Sequence, residues 1–196
     1  MSLQRLKDPL IVSADLRNPI GVDFVGRVKN VEILHNAILA LISPELYWKG
    51  HEAVEHLRGG DFLANRHPNI ERWNSAFSAW QIISNRVTPA HRDMGAAPMV
   101  YDLLTCAGTY THSVLHVHDL GARFHYTPGN VVALCGKVLL HEVKSWQGGE
   151  RLCIAHYMRD NVHNRLGVPR PGWPTMDKKY WLLMKEKFRM RHTLQE

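Results

Sequence analysis

The residues best suited to chemistry lie in the middle of the chain, where His91 and Asp93 form an H-x-D pair and His141 follows fifty residues later. Two histidines and one carboxylate, with coordination positions left open, are the protein ligands of non-haem Fe(II) oxygenases. Side chains two apart in a strand share a face, so His91 and Asp93 can both point inward. Arg151, ten residues beyond His141, could bind a dicarboxylate in bidentate fashion. The pattern predicts a metal centre with room for a bidentate anion and O2.

A second group of histidines competes for the metal. His112, His116 and His118 fall on one face of a predicted strand and could themselves form a metal site. No carboxylate near them fits as well, and polar residues at every second position are also typical of a strand with one wet face. The H-x-D pair with the later histidine is therefore preferred.

Further candidate residues flank this centre. Arg86 lies five residues before the first histidine of the pair. Arg151, Cys153, Tyr157 and Arg159 share one face of a predicted strand by the period-two rule. A face with two arginines and a tyrosine beside a metal site suits a cosubstrate and then a flat, polar substrate.

Helices are predicted ahead of these residues. Residues 1–27 contain Asn18-Pro19 and other breaks, and we expect them to be extended or looped. Apolar residues at helical spacing predict a helix over residues 28–42. Ser43 then has the position of an N-cap for a second helix, which is expected to run to Leu57. Residues 68–79 are ambiguous.

After Trp80 the sequence becomes β-like. Glycine and Pro-Gly turns separate seven short runs that are rich in β-branched or aromatic residues, at 80–86, 100–106, 113–118, 123–126, 131–135, 138–143 and 151–158. Such spacing predicts an α+β protein with an antiparallel jelly roll after its helices. A last helix is predicted over about residues 177–190. Its many lysines and arginines fit either a solvated face or contact with a phosphate backbone.

Length and composition limit the class of protein. A chain of 196 residues, 45% hydrophobic and 21% charged, is expected to form one soluble domain. We divide it into helical support over 1–84, a jelly-roll core over 85–168 and a basic helix over 169–196. The three cysteines form no C-x-x-C pair, which argues against a structural zinc site or a disulfide framework. No signal peptide or membrane span is visible, so an intracellular protein is expected. The net charge of +6 favours polyanionic partners, nucleic acid first.

Four motifs with their spacing resemble the TET/JBP family of Fe(II)/2-oxoglutarate-dependent nucleic-acid dioxygenases, particularly its compact and fungal branches. Within residues 85–168 they are Asn-Arg-Val-Thr-Pro-Ala-His-Arg-Asp, Tyr-Thr-Pro-Gly, Gly-Lys-Val-Leu-Leu-His and Gly-Gly-Glu-Arg-Leu-Cys-Ile-Ala-His-Tyr-Met-Arg. The resemblance implies a double-stranded β-helix in which His91, Asp93 and His141 bind Fe(II). It also implies that Arg151 pairs with the distal carboxylate of 2-oxoglutarate and that Arg86 helps to hold this cosubstrate.

The same resemblance assigns further roles and shows two departures. Cys153 occupies a position near 2-oxoglutarate where the family often has serine, and Tyr157 matches an aromatic residue that packs on the flipped-out base. Where the family commonly has Asn or Asp contacting the base, this chain has Ala96, and where it commonly has histidine, this chain has Arg159. Asp102 or Arg159 could replace the missing contacts.

The resemblance implies an enzyme that uses Fe(II), 2-oxoglutarate and O2 to oxidise a methyl group on a base in DNA. The first expected substrate is 5-methylcytosine in a base-flipped duplex, oxidised to 5-hydroxymethylcytosine and further, and the expected location is the nucleus. The departures keep thymine, N6-methyladenine, RNA and small molecules open as substrates. A catalytically weak nucleic-acid-binding module is the alternative from another class. The oligomeric state is left open.

Overall fold

The computed structural model describes residues 10–60 and 68–172. Helices lead into two four-stranded antiparallel sheets. The helices are α1 Ala14–Arg17, α2 Pro19–Arg27, α3 Lys29–Ile42, α4 Pro44–Gly59, α5 Pro68–Arg72 and α6 Asp160–Leu166. The strands are β1 Ala79–Ser84, β2 Thr88–His91, β3 Asp102–Gly108, β4 Val114–Val117, β5 Ala122–His125, β6 Val131–Leu134, β7 His141–Val143 and β8 Arg151–Tyr157, with a 3-10 turn at His118–Leu120.

The sheets have the strand orders β1-β8-β3-β6 and β2-β7-β4-β5. This arrangement confirms the predicted class, a jelly-roll core with helices before it. Buried side chains from both sheets fill the space between them: Cys106, Tyr110, Leu115, Val117, Tyr126, Leu134, Val143 and Cys153. The core therefore continues directly into the face of β8 that carries the predicted functional residues.

The prediction of loops over residues 1–27 is wrong in the described part. The Asn18 side chain accepts a hydrogen bond from the backbone N–H of Gly21 at 2.8 Å, and Pro19 occupies the first position of α2. An asparagine cap followed by proline is a helix start, because proline lacks only an N–H that a first turn leaves unpaired. The Asn18-Pro19 pair therefore begins a helix instead of interrupting the chain.

The next two helices are confirmed, with two differences in detail. Ser43 has the N-cap position of α4, but its side chain makes no capping hydrogen bond. In the ambiguous stretch 68–79, a helix forms only at α5. The predicted last helix over 177–190 lies outside the described residues.

Strand β2 was not predicted. It contains Pro89, which cannot donate a hydrogen bond and so argues against a strand. The proline is tolerated because β2 is the first strand of its sheet and pairs on one side only, with β7. In the other sheet, the first strand begins at Ala79, six residues before the predicted boundary of the core.

Helix α3 presents an unexpected face to the sheet. The residues that it buries are Glu32, His35 and Leu39, whereas the apolar Val31 and Leu34 are 40% and 55% exposed. Two polar side chains are buried here because they have partners on the sheet.

The partners form a hydrogen-bonded network between α3 and the outer side of the sheet. Glu32 Oε1 accepts hydrogen bonds from His156 Nε2 at 2.7 Å and from His35 Nδ1 at 3.3 Å. His35 Nε2 in turn bonds Thr105 Oγ1 at 2.8 Å. Burial raises the pKa of Glu32, but the hydrogen bonds from the two histidines outweigh it and hold the pKa at about 2. The carboxylate is therefore charged and paired at neutral pH.

No helix within 10–60 or 68–172 has the length and apolar character that crossing a bilayer requires.

The Glu32 network should stabilise the protein in a pH-dependent way. Because the folded pKa lies below the unfolded value, this stabilisation is complete above pH 4.5 and is lost as the pH falls towards 2. We expect Glu32→Gln to lower the free energy of unfolding by about 3 kcal/mol at pH 7. Urea unfolding followed by circular dichroism at several pH values measures the difference.

The exposed Glu45, in the first turn of α4, offers a matched control. Glu45→Gln should change the free energy of unfolding by less than about 1 kcal/mol. If the difference in unfolding free energy between the wild type and Glu32→Gln stayed constant down to pH 2, the stabilising role of the Glu32 carboxylate would be contradicted.

Candidate metal and cosubstrate site

The three predicted metal ligands meet between β2 and β7. His91 and His141 are register partners across these strands, with ring centroids 4.3 Å apart. Asp93 follows β2 instead of lying within it, so the strand alternation that we invoked does not place it. Its backbone N–H donates to the carbonyl of Gly136 at 2.9 Å, which fixes the turn that carries it. The side chain then reaches both imidazoles.

The ligand atoms converge at distances that suit a metal ion. His91 Nε2 lies 3.5 Å from Asp93 Oδ1, and His141 Nε2 lies 3.7 Å from Asp93 Oδ2. All three ligand atoms lie within 4.8 Å of one another. Two imidazole nitrogens and one carboxylate can hold Fe(II) and leave coordination positions open.

The two histidines are also held in the tautomer that a metal requires. His91 Nδ1 donates to the Pro89 carbonyl, and His141 Nδ1 donates to the Leu139 carbonyl, both at 2.9 Å. A carbonyl only accepts, so Nδ1 carries the proton and Nε2 presents its lone pair. Burial, assisted by the neighbouring His91, lowers the pKa of His141. The site thus fits a bound cation.

Gly136 and Asp102 lie against the metal-binding carboxylate. A Cβ atom at Gly136 would collide with Asp93 Oδ2 and Asp102 Oδ2, so only glycine fits. Asp102, 3% exposed, has no hydrogen-bond partner for either carboxyl oxygen among the described residues. The nearby Gly136 N–H donates to the Leu134 carbonyl instead. Burial, reinforced by the charge of Asp93, raises the pKa of Asp102 to about 8, so its carboxyl is protonated at neutral pH.

Arg151 is buried without a carboxylate partner in the described part of the chain. It is 1% exposed, and its Nη1 donates to the Arg86 carbonyl at 3.0 Å while Nε has no partner. Its guanidinium carbon lies 5.7 Å from the Tyr126 ring centroid and 5.8 Å from that of Trp146. A buried cation of this kind requires an anion. The fork of Arg151 is therefore available to a carboxylate in the cavity.

One cavity of about 230 Å³ joins the metal ligands to this arginine. All nine residues predicted from the sequence line it: His91, Asp93, His141, Arg151, Arg86, Cys153, Tyr157, Arg159 and Asp102. Gln81, which also lines the cavity from β1, was missed. Gln81 and Ile83 are two residues apart on β1 and therefore share one face of the strand, and this spacing could have identified Gln81 from the sequence.

Tyr157 and Arg159 form one side of this cavity, and we call them the Tyr-Arg pair. The guanidinium of Arg159 lies 5.1 Å from the Tyr157 ring centroid, and its Nη2 donates to the Tyr157 hydroxyl at 3.2 Å. The Arg159 backbone N–H donates to Ser78 Oγ at 2.9 Å, which fixes the chain after β8. Ala96, which is buried and also lines the cavity, offers no polar side chain.

The competing histidines do not form a ligand group in the described residues. Strand β4 ends at Val117, so His118 lies in the following turn, and His112 lies before the strand with a positive φ of 51°. His118 Nε2 instead bonds Glu142 Oε1 at 2.9 Å. The strand alternation that we assumed for these three histidines does not extend over all of them.

Sequence reasoning also missed a second group of residues that could bind a metal, the Glu32 network of Glu32, His35 and His156. The Glu-x-x-His spacing of Glu32 and His35 places both on one helix face and was the available signal. In this group, however, the carboxylate accepts a 2.7 Å hydrogen bond from His156. Glu32 Oε1, the oxygen that both histidines contact, therefore already accepts hydrogen bonds without a metal.

Comparison with solved structures supports the fold through one of them. A structure described as NgTET1 in complex with 5mC DNA superposes with a TM-score of 0.58 over 90% of this chain, at 16% identity. The chain spans 63% of the NgTET1 chain. A Cupin 2 conserved barrel domain protein from Salinispora arenicola aligns over 45% of this chain and 66% of its own, at 19% identity and a TM-score of 0.29. No curated protein is significantly similar.

The two antiparallel sheets and the cavity between them define a jelly roll, or double-stranded β-helix, with a group of residues that could hold a metal ion. A family model described as the oxygenase domain of the 2OGFeDO superfamily, Tet_JBP, matches residues 3–160. The chain therefore belongs to the Tet_JBP family. This confirms the predicted family and enzyme class, together with the cofactors Fe(II), 2-oxoglutarate and O2.

The collision at Gly136 leads to a prediction about metal binding. Gly136→Ala should displace the Asp93 carboxylate and weaken Fe(II) binding by about 10- to 100-fold, the range for groups that orient metal ligands. Anaerobic calorimetric titration measures the affinity. Gly26→Ala, where the added Cβ meets open space, is the matched control. Equal Fe(II) affinity in both variants would show that Asp93 is not a ligand.

Proposed function

We propose that this chain is an Fe(II)- and 2-oxoglutarate-dependent dioxygenase that oxidises the methyl group of a modified base in DNA, 5-methylcytosine first. The observation that carries the proposal is one cavity that contains both the converging ligand atoms and a buried arginine with no carboxylate partner among residues 10–60 and 68–172. The DNA in the NgTET1 structure and the +6 charge of this chain support a nucleic-acid substrate. A DNA substrate would place the enzyme in the nucleus.

In this proposal the metal ligands are His91, Asp93 and His141. When bound, Fe(II) with 2-oxoglutarate and O2 supplies the oxidising power for hydroxylation, and the cosubstrate leaves as succinate and CO2. The Nδ1–H bonds to the Pro89 and Leu139 carbonyls fix the orientation of both imidazoles, so that each Nε2 is aimed at the metal.

Arg151 binds the distal carboxylate of 2-oxoglutarate. Its Nη1 is committed to the Arg86 carbonyl, and the remaining N–H groups can form charge-assisted hydrogen bonds to this carboxylate. Arg86 supports the cosubstrate from the same wall of the cavity. Cys153, whose Sγ lies 3.3 Å from the Tyr126 hydroxyl, lines the cosubstrate end.

The target base enters between the Tyr-Arg pair and the metal. A base inside a duplex must first be extruded, which costs a few kcal/mol of unstacking, and the Tyr157 ring offers a new stacking surface. Arg159 presents donors only, so it suits the acceptor atoms O2 and N3 of a cytosine. Asp102, neutral and deeper in the cavity, can donate a hydrogen bond to the base.

A second candidate keeps the reaction and changes the substrate to thymine, N6-methyladenine, RNA or a small molecule. Ala96 and the donor-only Arg159 favour this candidate, because they replace the residues that commonly read the base in the family. A catalytically weak nucleic-acid-binding module is less well supported, since the ligand atoms converge and Arg151 lines the same cavity.

The proposal predicts a product that mass spectrometry can detect. With Fe(II), 2-oxoglutarate and a 5-methylcytosine duplex, the protein should form 5-hydroxymethylcytosine, and His91→Ala should form none. His112→Ala, an exposed histidine outside the cavity, should retain activity. Absence of product with the wild-type protein, or equal product with His91→Ala, would refute the proposal. Oxidation only of thymine, N6-methyladenine or RNA would establish the second candidate.

A further inference from the structure

Two cysteines face each other at the centre of one sheet. Cys106 on β3 and Cys153 on β8 are register partners, and these are the two inner strands of their sheet. Both side chains are buried in the space between the sheets, with exposures of 2% and 3%. No sequence motif singled out this pair, because the two cysteines are 47 residues apart.

The backbone hydrogen bonds show that this is a close pair. The Cys106 N–H donates to the Asn130 carbonyl, and the Cys106 carbonyl accepts from the Gly129 N–H, both at 2.9 Å. Both polar groups thus point away from β8, so Cys106 and Cys153 exchange no backbone hydrogen bond. In an antiparallel pair, such positions bring the two Cα atoms to about 4.5 Å and the side chains close together.

The neighbouring register supports this assignment. Three residues further along, the Thr109 N–H donates to the Glu150 carbonyl at 2.9 Å. Hydrogen-bonded and non-hydrogen-bonded pairs alternate along an antiparallel ladder. Counting back from Thr109 therefore makes the cysteine pair a non-hydrogen-bonded one. A disulfide needs a Cα separation of about 4.4–6.8 Å, which this position meets.

A small oxidant can reach this pair from the cavity. Cys153 lines the cavity, whereas the third cysteine, Cys135, has no such partner in the described strands. A hydrogen bond from Cys153 is the largest cause that lowers the pKa of Cys106, to about 7. The same hydrogen bond, together with burial, raises the pKa of Cys153, so the thiolate, which is the reactive form, lies on Cys106.

We propose that Cys106 and Cys153 are an oxidative modification site, at which a peroxide converts the two thiols into a reversible cross-strand disulfide that weakens binding of 2-oxoglutarate. One thiolate attacks the peroxide O–O bond, which gives a sulfenic acid and, after protonation, water. The partner thiol attacks that sulfur and a second water leaves. In total, two thiols and one hydrogen peroxide give one disulfide and two waters, so sulfur is oxidised and peroxide is reduced.

The effect on the cosubstrate rests on the proposed function. Disulfide formation removes the Cys153 thiol hydrogen and repositions Cys153 Sγ, which now lies 3.3 Å from the Tyr126 hydroxyl, so this hydrogen bond is disturbed. The Tyr126 ring also packs against the guanidinium of Arg151. Loss of this one hydrogen bond loosens the support of the arginine, and we expect the affinity for 2-oxoglutarate to fall about fivefold.

The modification itself is tested on metal-free protein treated with hydrogen peroxide, by intact mass and by peptide mapping. We expect the mass of two hydrogen atoms to be lost, a Cys106–Cys153 cross-linked peptide, and a fall in free thiols from three to one. Cys135→Ser should still form the cross-link, whereas Cys106→Ser should not. Cys106→Ala repeats the test without a hydroxyl in the core. Three remaining thiols in the wild type, or a disulfide that contains Cys135, would overturn the proposal.

The consequence is tested by anaerobic calorimetric titration of the Fe(II) protein with 2-oxoglutarate. Peroxide-treated wild type should bind about fivefold more weakly than reduced protein, and dithiothreitol should restore the affinity. Cys106→Ser should bind equally before and after treatment. A disulfide with unchanged affinity would overturn the link to the cosubstrate. Because the mass measurement needs no cosubstrate, failure of this inference is distinguishable from failure of the proposed function.

Discussion

The pairing of β2 with β7 is the constraint on which the rest of the site depends. It sets His91 opposite His141, and the hydrogen bond from Asp93 N–H to the Gly136 carbonyl then brings a carboxylate between the two imidazoles. Each contact involves the backbone, so the ligand geometry follows from the fold of the sheet more than from side-chain packing. This geometry also restricts position 136 to glycine, because a Cβ atom there would collide with the Asp93 and Asp102 carboxyl groups.

The buried arginine of the site comes from the other sheet. Arg151 begins β8, and packing of the two sheets face to face brings its buried guanidinium to the same cavity as the metal ligands. A cation buried without a carboxylate is unfavourable by itself, which is why it indicates a ligand. In the proposed function, a cosubstrate with a carboxylate at each end would satisfy both sites at once, one through the metal and one through Arg151.

The residues that line the cavity could be named from the sequence because residue type and spacing were enough to select them. The H-x-D pair, the later histidine and the period-two face of β8 need only residue types and spacing. Strand β2 was not predictable in this way, since Pro89 argues against a strand unless its edge position is known. The buried face of α3 was not predictable either, because Glu32 is paired with His156, which is 124 residues away in the sequence. The Cys106–Cys153 pair likewise depends on a register that no local pattern contains.

The substrate end of the cavity is less well defined by sequence than the metal end. The Arg159 guanidinium lies over the Tyr157 ring, where a base would stack. A base can therefore stack on Tyr157 only if this guanidinium moves aside or covers only part of the ring. Ala96 contributes only an apolar wall. The choice of base therefore depends on how the Tyr-Arg pair rearranges, whereas the reaction depends on fixed backbone contacts.

The central claim is that the metal ligands and Arg151 form one site for Fe(II) and 2-oxoglutarate. The most direct measurement is an anaerobic titration of the Fe(II) protein with 2-oxoglutarate, followed by visible charge-transfer absorption. We predict a saturable band for the wild type, no band for Asp93→Ala, and half-saturation at about tenfold more 2-oxoglutarate for Arg151→Lys. A wild-type protein without the band, or an Arg151→Lys variant that saturates at the wild-type concentration, would contradict the claim.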